Sequence, residues 1–286
     1  MARSKKSKKK TTFFSGLKLG AVALGAVLLI SFKGPEPLKR FAGNLFSRLR
    51  APLSAPSVSK KPKLVFIIDD IGYHLNYEKE LRDLGDDVVY AVLPMLPYSK
   101  HFGLLSEKTH AEVILHLPLE TVDGTVPGRG LITRQMPESQ ILEVLRTNLD
   151  SVPHHLGANN HMGSLGTSDP ALMRVILKEF KKQNLLFLDS YTTPNTVIPA
   201  VGKELGMQIM KRDVFLDNVD EKPAIREQIR KLKTISKSRG YAIGIGHYRY
   251  NTLTELKEQI PRLKAEGFEI ISLRQMSRVA KSKKSR

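Results

Sequence analysis

Residues 64–72 read Leu-Val-Phe-Ile-Ile-Asp-Asp-Ile-Gly. The apolar run at 64–68 is too short for a helix and rich in β-branched residues, so it reads as a strand buried on both faces. It delivers two adjacent carboxylates, Asp69 and Asp70, at its C-terminal end. Working outward, similar runs recur at 88–93, 112–115, 156–159, 185–188, 207–210, 241–245 and 268–272. Between them, apolar residues at helical spacing occupy 75–84, 99–109, 138–149, 170–183, 195–205, 223–238 and 252–266. Several of these open on a capping residue or a proline, as in Ser168-Asp169-Pro170, Pro194-Asn195 and Asn251-Thr252. Eight strands alternating with seven helices predict an α/β fold with a parallel sheet. At about 210 residues, a closed or nearly closed β/α barrel of seven or eight strands is favoured over a doubly wound open sheet. The stretch 120–135 reads as a long loop after the third strand.

The chain has 286 residues, no cysteine and a formal net charge of +18. A hydrophobic content of 41% fills a core, which excludes disorder as the main state. The charge invites a nucleic-acid reading, but its placement argues against one. Residues 1–63 hold 15 Lys/Arg and one acid, Glu36; residues 278–286 add five Lys/Arg and no acid. The body, 64–277, is almost neutral at −1 and carries no interleaved basic and aromatic patch, so no nucleic-acid partner is expected. The basic start is followed by an apolar stretch at 13–32 broken only by Lys18. With Lys18 reaching toward the headgroups, that stretch spans a bilayer, and a retained signal-anchor is favoured over a cleaved signal peptide. The six leading cations predict a cytoplasmic N-terminus and an exported, periplasmic body tethered to the membrane. The division is then 1–32 signal segment, 33–63 basic linker rich in Pro and Ser, 64–277 a single catalytic domain, and 278–286 a basic tail read as disordered. Within the linker, 38–50 has the spacing of a short basic amphipathic helix, although a solvated linker is the simpler expectation.

The strand ends carry the chemistry. Besides Asp69 and Asp70, they deliver His116 with Glu120, Asn160 with His161, Asp189, and His247. Each has an ordinary alternative: Asp69-Asp70 and Asp189 as helix caps, His116 as a core histidine. Their convergence on the rim where barrel enzymes build active sites favours function. Five other histidines, His74, His101, His110, His154 and His155, fall in predicted helices or loops and read as surface residues. With no cysteine, a metal must be held by His, Asp or Glu, and two His with one Asp make the expected set for a catalytic zinc-type site.

These residues also carry a resemblance. The segments "IIDDIG", "HLPLE", "NNHMGS", "FLDS", "RDVFLDN" and "IGH", in that order across 63–275, resemble the divergent polysaccharide deacetylase family, relatives of carbohydrate esterases with a NodB-type domain. The resemblance implies a NodB-like barrel and removal of N-acetyl or O-acetyl groups from an acetylated envelope polysaccharide or glycan. It maps the catalytic base onto Asp69, a metal ligand onto Asp70 and the general acid onto His247. The family's His-x-x-x-His motif reads His116-Leu-Pro-Leu-Glu120 here, so a carboxylate replaces the second histidine. His161 is the candidate for the missing nitrogen ligand, and Glu120 is either a fourth ligand or a partner to a histidine. Asp189 is expected to orient His247, and backbone N–H groups of the Gly163-Ser164 turn to hold the oxyanion. The cofactor implied is a divalent metal, with zinc favoured by the nitrogen ligands. The altered motif leaves a second expectation standing, a catalytically silent metal- or glycan-binding envelope module using the same cleft.

Overall fold

The computed structural model describes residues 61–284, with side chains to residue 280. The signal segment at 1–32 and the linker to residue 60, including 38–50, lie outside the described residues. Chain order is β1 (Lys63–Ile71), α1 (Glu78–Leu84), β2 (Val89–Val92), α2 (Ser99–Thr109), β3 (Val113–Leu119), α3 (Glu138–Asp150), β4 (His155–Met162) and α4 (Pro170–Lys182). It continues with β5 (Leu186–Asp189), α5 (Ile198–Glu204), β6 (Ile209–Lys211), β7 (Val214–Phe215), α6 (Lys222–Arg239), β8 (Tyr241–His247), α7 (Tyr250–Ala265), β9 (Glu269–Ile270) and α8 (Leu273–Lys284). Neighbouring strands run β6-β5-β4-β3-β2-β1-β8-β7, all parallel, with β9 against the start of β1.

The expected curled α/β barrel is the fold observed, and its seam is visible in two bonds. The Arg212 N–H donates to the Asp189 carbonyl at 3.0 Å, and the next N–H, of Asp213, donates to the Ile243 carbonyl at 2.9 Å. One kinked segment, 209–215, therefore pairs first with β5 and then with β8, bringing the two edges of the sheet together. All seven predicted helices form. The predicted run at 207–210 becomes β6, whereas β7 has only two residues, too few to show a period in sequence. The eighth predicted strand, 268–272, shortens to β9.

Strand alternation sorts side chains into two cores. Leu64, Phe66 and Ile68 face the helices, packing with residues such as Ile176, Phe180 and Leu253. Val65, Ile67, Ile114, Leu188, Ile243 and Ile245 fill the barrel interior. Leu273 and Met276 of α8 belong to that interior core, so this helix plugs the end of the barrel where the strands begin. The anticipated tail thus starts inside a helix that runs to Lys284. Two residues beyond the interior positions Ile67, Ile114 and Ile245 come Asp69, His116 and His247, which places all three at the opposite, C-terminal mouth.

In β4 the alternation is broken on the way to the mouth. Its register against β3 jumps from Val113↔His155 to Leu115↔Ala158, an extra residue in β4. Leu156 faces the interior but Ala158 faces the helices, and Asn159 and His161 are thereby turned inward. Gly157 lies in this bulge, where a Cβ would come 2.2 Å from the Leu186 carbonyl oxygen. We expect Gly157→Ala to force backbone displacement and cost about 2–3 kcal/mol, seen as a lower urea midpoint with an unchanged slope.

Candidate active site and metal centre

Adjacent residues of a regular strand point to opposite faces, so Asp69 and Asp70 need help to share a site. The register of β1 with β2 shifts between Ile68 and Ile71, and Asp70 adopts a left-handed φ of 63°. Asp carries this conformation more readily than most residues because its short polar side chain can bond locally. The kink brings both carboxylates onto one histidine: His116 Nε2 lies 3.2 Å from Asp70 Oδ1 and 3.6 Å from Asp69 Oδ2. His161 Nδ1 completes a triangle, 3.1 Å from Asp70 Oδ1 and 3.0 Å from His116 Nε2.

Asn159 fixes the chemistry of that triangle. Its Nδ2 donates to Asp69 Oδ1 at 2.8 Å, an ionised carboxylate having nothing to give back. Its Oδ1 must then face His116 Nδ1, 2.8 Å away, and accept that ring's N–H. Burial would lower the His116 pKa, but Asp69 and Asp70 raise it overall; with its Nε2 proton displaced by a metal, His116 would aim a lone pair between His161 and Asp70, the arrangement metal-binding histidines use. Asp70 Oδ1 is itself buried without a hydrogen bond. Tetrahedral zinc with bonds of ~2.0–2.1 Å sets its ligand atoms ~3.3 Å apart, so Asp70, His116 and His161 fit such an ion. Burial alone would raise the Asp70 carboxyl, but the two imidazoles outweigh it and hold the group well below the usual carboxylate range. We expect Asn159→Ala to weaken metal binding by roughly 10–100-fold without abolishing it, measured by competition against a chelating dye.

On the other side of Asp69, β1 and β8 place Asp69 opposite His247. His247 Nδ1 contacts Asp217 Oδ1 at 2.7 Å, while Asp217 Oδ2 accepts the His247 backbone N–H at 2.7 Å and the Thr252 hydroxyl at 2.6 Å. Phe215 stacks on the imidazole with centroids 5.8 Å apart and carries the Arg212 guanidinium 3.5 Å over its ring. Burial would lower the His247 pKa, yet the Asp217 hydrogen bond and nearby carboxylates raise it overall. Asp69, 2% exposed, is pushed up by burial, only partly offset by His116 and His247.

Two expectations are corrected. Asp189 does not orient His247: Leu188 faces the interior, so Asp189 faces away, accepting the Tyr191 N–H and the Thr196 hydroxyl. Asp217 holds the imidazole instead. Glu120 lies outside the donor cluster because its carboxylate accepts the Arg134 backbone N–H at 3.1 Å. The returning loop pins it there through the Glu120 N–H bond to the Ile132 carbonyl. The Gly163-Ser164 turn follows β4 directly, Gly163 at φ 84°. Of the five remaining histidines, His101, His110 and His154 are exposed, whereas His74 and His155 are half-buried, His74 stacking on Tyr248. Asn159, Asp217 and Arg212 were not singled out by sequence. Alternation counted back from His161 flags Asn159, and Asp217 stands inside the "RDVFLDN" segment.

Residues 66–277 match the model of the divergent polysaccharide deacetylase family. The chain belongs to that family. It is 29% identical over 211 residues to an uncharacterized protein of Haemophilus influenzae, covering 74% of this chain and 75% of that one. It is 30% identical over 211 residues to the uncharacterized protein YibQ of Escherichia coli, covering 74% of this chain and 66% of the relative. The fold is similar to the crystal structure of an uncharacterized protein from Agrobacterium tumefaciens C58, with a TM-score of 0.73 and 19% identity over 77% of this chain and 91% of that one. A divergent polysaccharide deacetylase domain thus carries the Asp70–His116–His161 cluster and the Asp217–His247 pair.

Proposed function

We propose that this protein is an exported, membrane-tethered, metal-dependent hydrolase that removes N-acetyl or O-acetyl groups from an envelope carbohydrate. The meeting of Asp70 Oδ1, His116 Nε2 and His161 Nδ1 beside a buried carboxylate supports this function most strongly. Membership of the deacetylase family supports the carbohydrate substrate, and the basic, apolar N-terminal pattern supports export and the tether.

Asp70, His116 and His161 would hold a divalent cation, with zinc suited to the two nitrogens. When bound, such an ion acidifies water and polarises an acyl carbonyl. Asp69, anchored by Asn159, takes the proton of the attacking water as the C–O bond forms. His247 gives a proton to the leaving amine or alkoxide as its bond to the acyl carbon breaks, its ring held by Asp217 so that Nε2 is the atom presented. The N–H groups of the Gly163-Ser164 turn would stabilise the oxyanion. Because Glu120 is turned to Arg134, the donor cluster among the described residues has three members, which would leave a bound cation a position for water. That favours a working hydrolase over a silent binding module.

An acid must be protonated to act, so activity falls as pH rises through the His247 pKa. Asp217 raises that pKa. Asp217→Asn is therefore expected to move the alkaline limb of kcat/KM to lower pH, read from a pH profile. Acetate release by the zinc-supplied full chain from acetylated glycans, amide- and ester-linked, tests the activity itself. Metal-dependent release is expected, and no turnover of any such glycan contradicts it.

A further inference from the structure

The end of the barrel away from the mouth has features that the hydrolytic site does not use. The described chain enters there: the Pro62 carbonyl accepts the Glu269 N–H, and the Leu64 carbonyl accepts the Ile271 N–H, one turn before α8 begins. Residues 273–284, the length of α8, hold five Lys or Arg and no acid. Beside α8, a groove of about 550 Å³ opens between the starts of β5 and β6. Ser277 of α8 lines one side, Lys181 and Lys203 stand at the ends of α4 and α5, and Leu186 and Met207 supply apolar surface. Gln208 lies within it with both amide atoms buried and without a hydrogen-bond partner, an unusual cost for a side chain with two donors and an acceptor.

We propose that this basal face is a docking surface for an anionic phospholipid bilayer, with a headgroup entering the groove. Lys203 and Lys181, whose ammonium also donates to the Leu205 carbonyl at 2.6 Å, meet the phosphate, the Gln208 amide meets headgroup hydroxyl and ester oxygens as the headgroup enters, and the exposed Arg274 and Arg278 of α8 lie along the lipid surface. Charge complementarity selects the partner: Lys181, Lys203 and the exposed Arg278 stand at the basal end, while the mouth carries Asp69, Asp70 and Asp217. The location of the chain entry selects the geometry. The inference rests on the proposed membrane tether. A tether raises the local concentration of lipid at the domain, so a headgroup site of weak intrinsic affinity is occupied. With the base on the bilayer, the seven residues of β8, at ~3.3 Å each, lift the mouth roughly 20–25 Å off the lipid. The substrate class this orientation selects is polymer lying beyond the headgroups, in preference to a lipid-linked saccharide.

The absence of cysteine makes single-cysteine labelling clean. Full-length protein carrying a fluorophore at Gln183→Cys on the base, or at Val126→Cys by the mouth, is reconstituted into phosphatidylcholine vesicles with or without phosphatidylglycerol and a quencher on the lipid headgroup. The basal label is expected to be quenched several-fold more than the mouth label, only when anionic lipid is present. High salt and the combined Lys181→Gln, Lys203→Gln and Arg278→Gln variant should remove the difference, while added inorganic phosphate at constant ionic strength should not. Acetate release from the same samples is expected to be unchanged, which separates this test from that of the hydrolytic activity. Tyr73, Val122, Val126 and Tyr250, all more than half exposed, surround the mouth, so stronger quenching there would show the domain lying mouth-down. That outcome, equal quenching of both labels, basal quenching that ignores anionic lipid, or displacement by phosphate would overturn the proposal.

Discussion

Asp69→Asn is expected to lower kcat for acetate release by roughly 10²–10⁴-fold, the usual contribution of a positioned general base, while leaving metal content unchanged. The substitution keeps shape and burial but removes the acceptor that a water proton needs. Asp69 is not a corner of the donor triangle, and Asn159 can still bond to the new amide oxygen. Asp69 is 2% exposed and pushed up by burial, so its ionised form depends on His116, His247 and the cation site for stabilisation. Acetate assays paired with elemental analysis separate the two roles. Loss of metal together with activity would move Asp69 from base to ligand, and full activity would remove it from the mechanism.

His116→Ala is expected to have the widest effect of any single change. It removes one corner of the triangle, so bound metal and acetate release should both fall to background. It also leaves Asn159 Oδ1 without its donor and sets Asp69 beside Asp70 with the intervening imidazole gone. Removing one partner of a buried charged pair costs about 3–5 kcal/mol; Asp70 is partly exposed, which brings the expected loss to the lower end of that range. Urea denaturation of metal-free wild type and variant isolates this contribution from that of the ion. A metal-replete, active variant would show that the cation binds elsewhere.

The barrel was legible because each strand is a short apolar run bounded by helical spacing, and all seven predicted helices begin within three residues of the predicted position, α2, α3 and α4 at that position itself. The mouth was legible because alternation carries Ile67, Ile114 and Ile245 forward to Asp69, His116 and His247. Alternation also explains the error at Asp189: with Leu188 inward, the next residue must face outward, and a strand-end acid alone does not reveal this. His161 lies on the interior only because of the extra residue in β4, a register property that no local pattern records. Asn159 carries no titratable group, and Asp217 follows a strand of two residues. α8 was hidden because its basic composition resembles a tail, while its packing depends on Leu273 and Met276 meeting a barrel floor that exists only after folding.

Metal stoichiometry of the purified full chain, measured by elemental analysis beside Glu120→Ala and His161→Ala, tests the proposed centre most directly. One divalent ion per chain is predicted in the wild type and in Glu120→Ala, and none in His161→Ala. Retention of the ion by His161→Ala with its loss from Glu120→Ala would contradict the account.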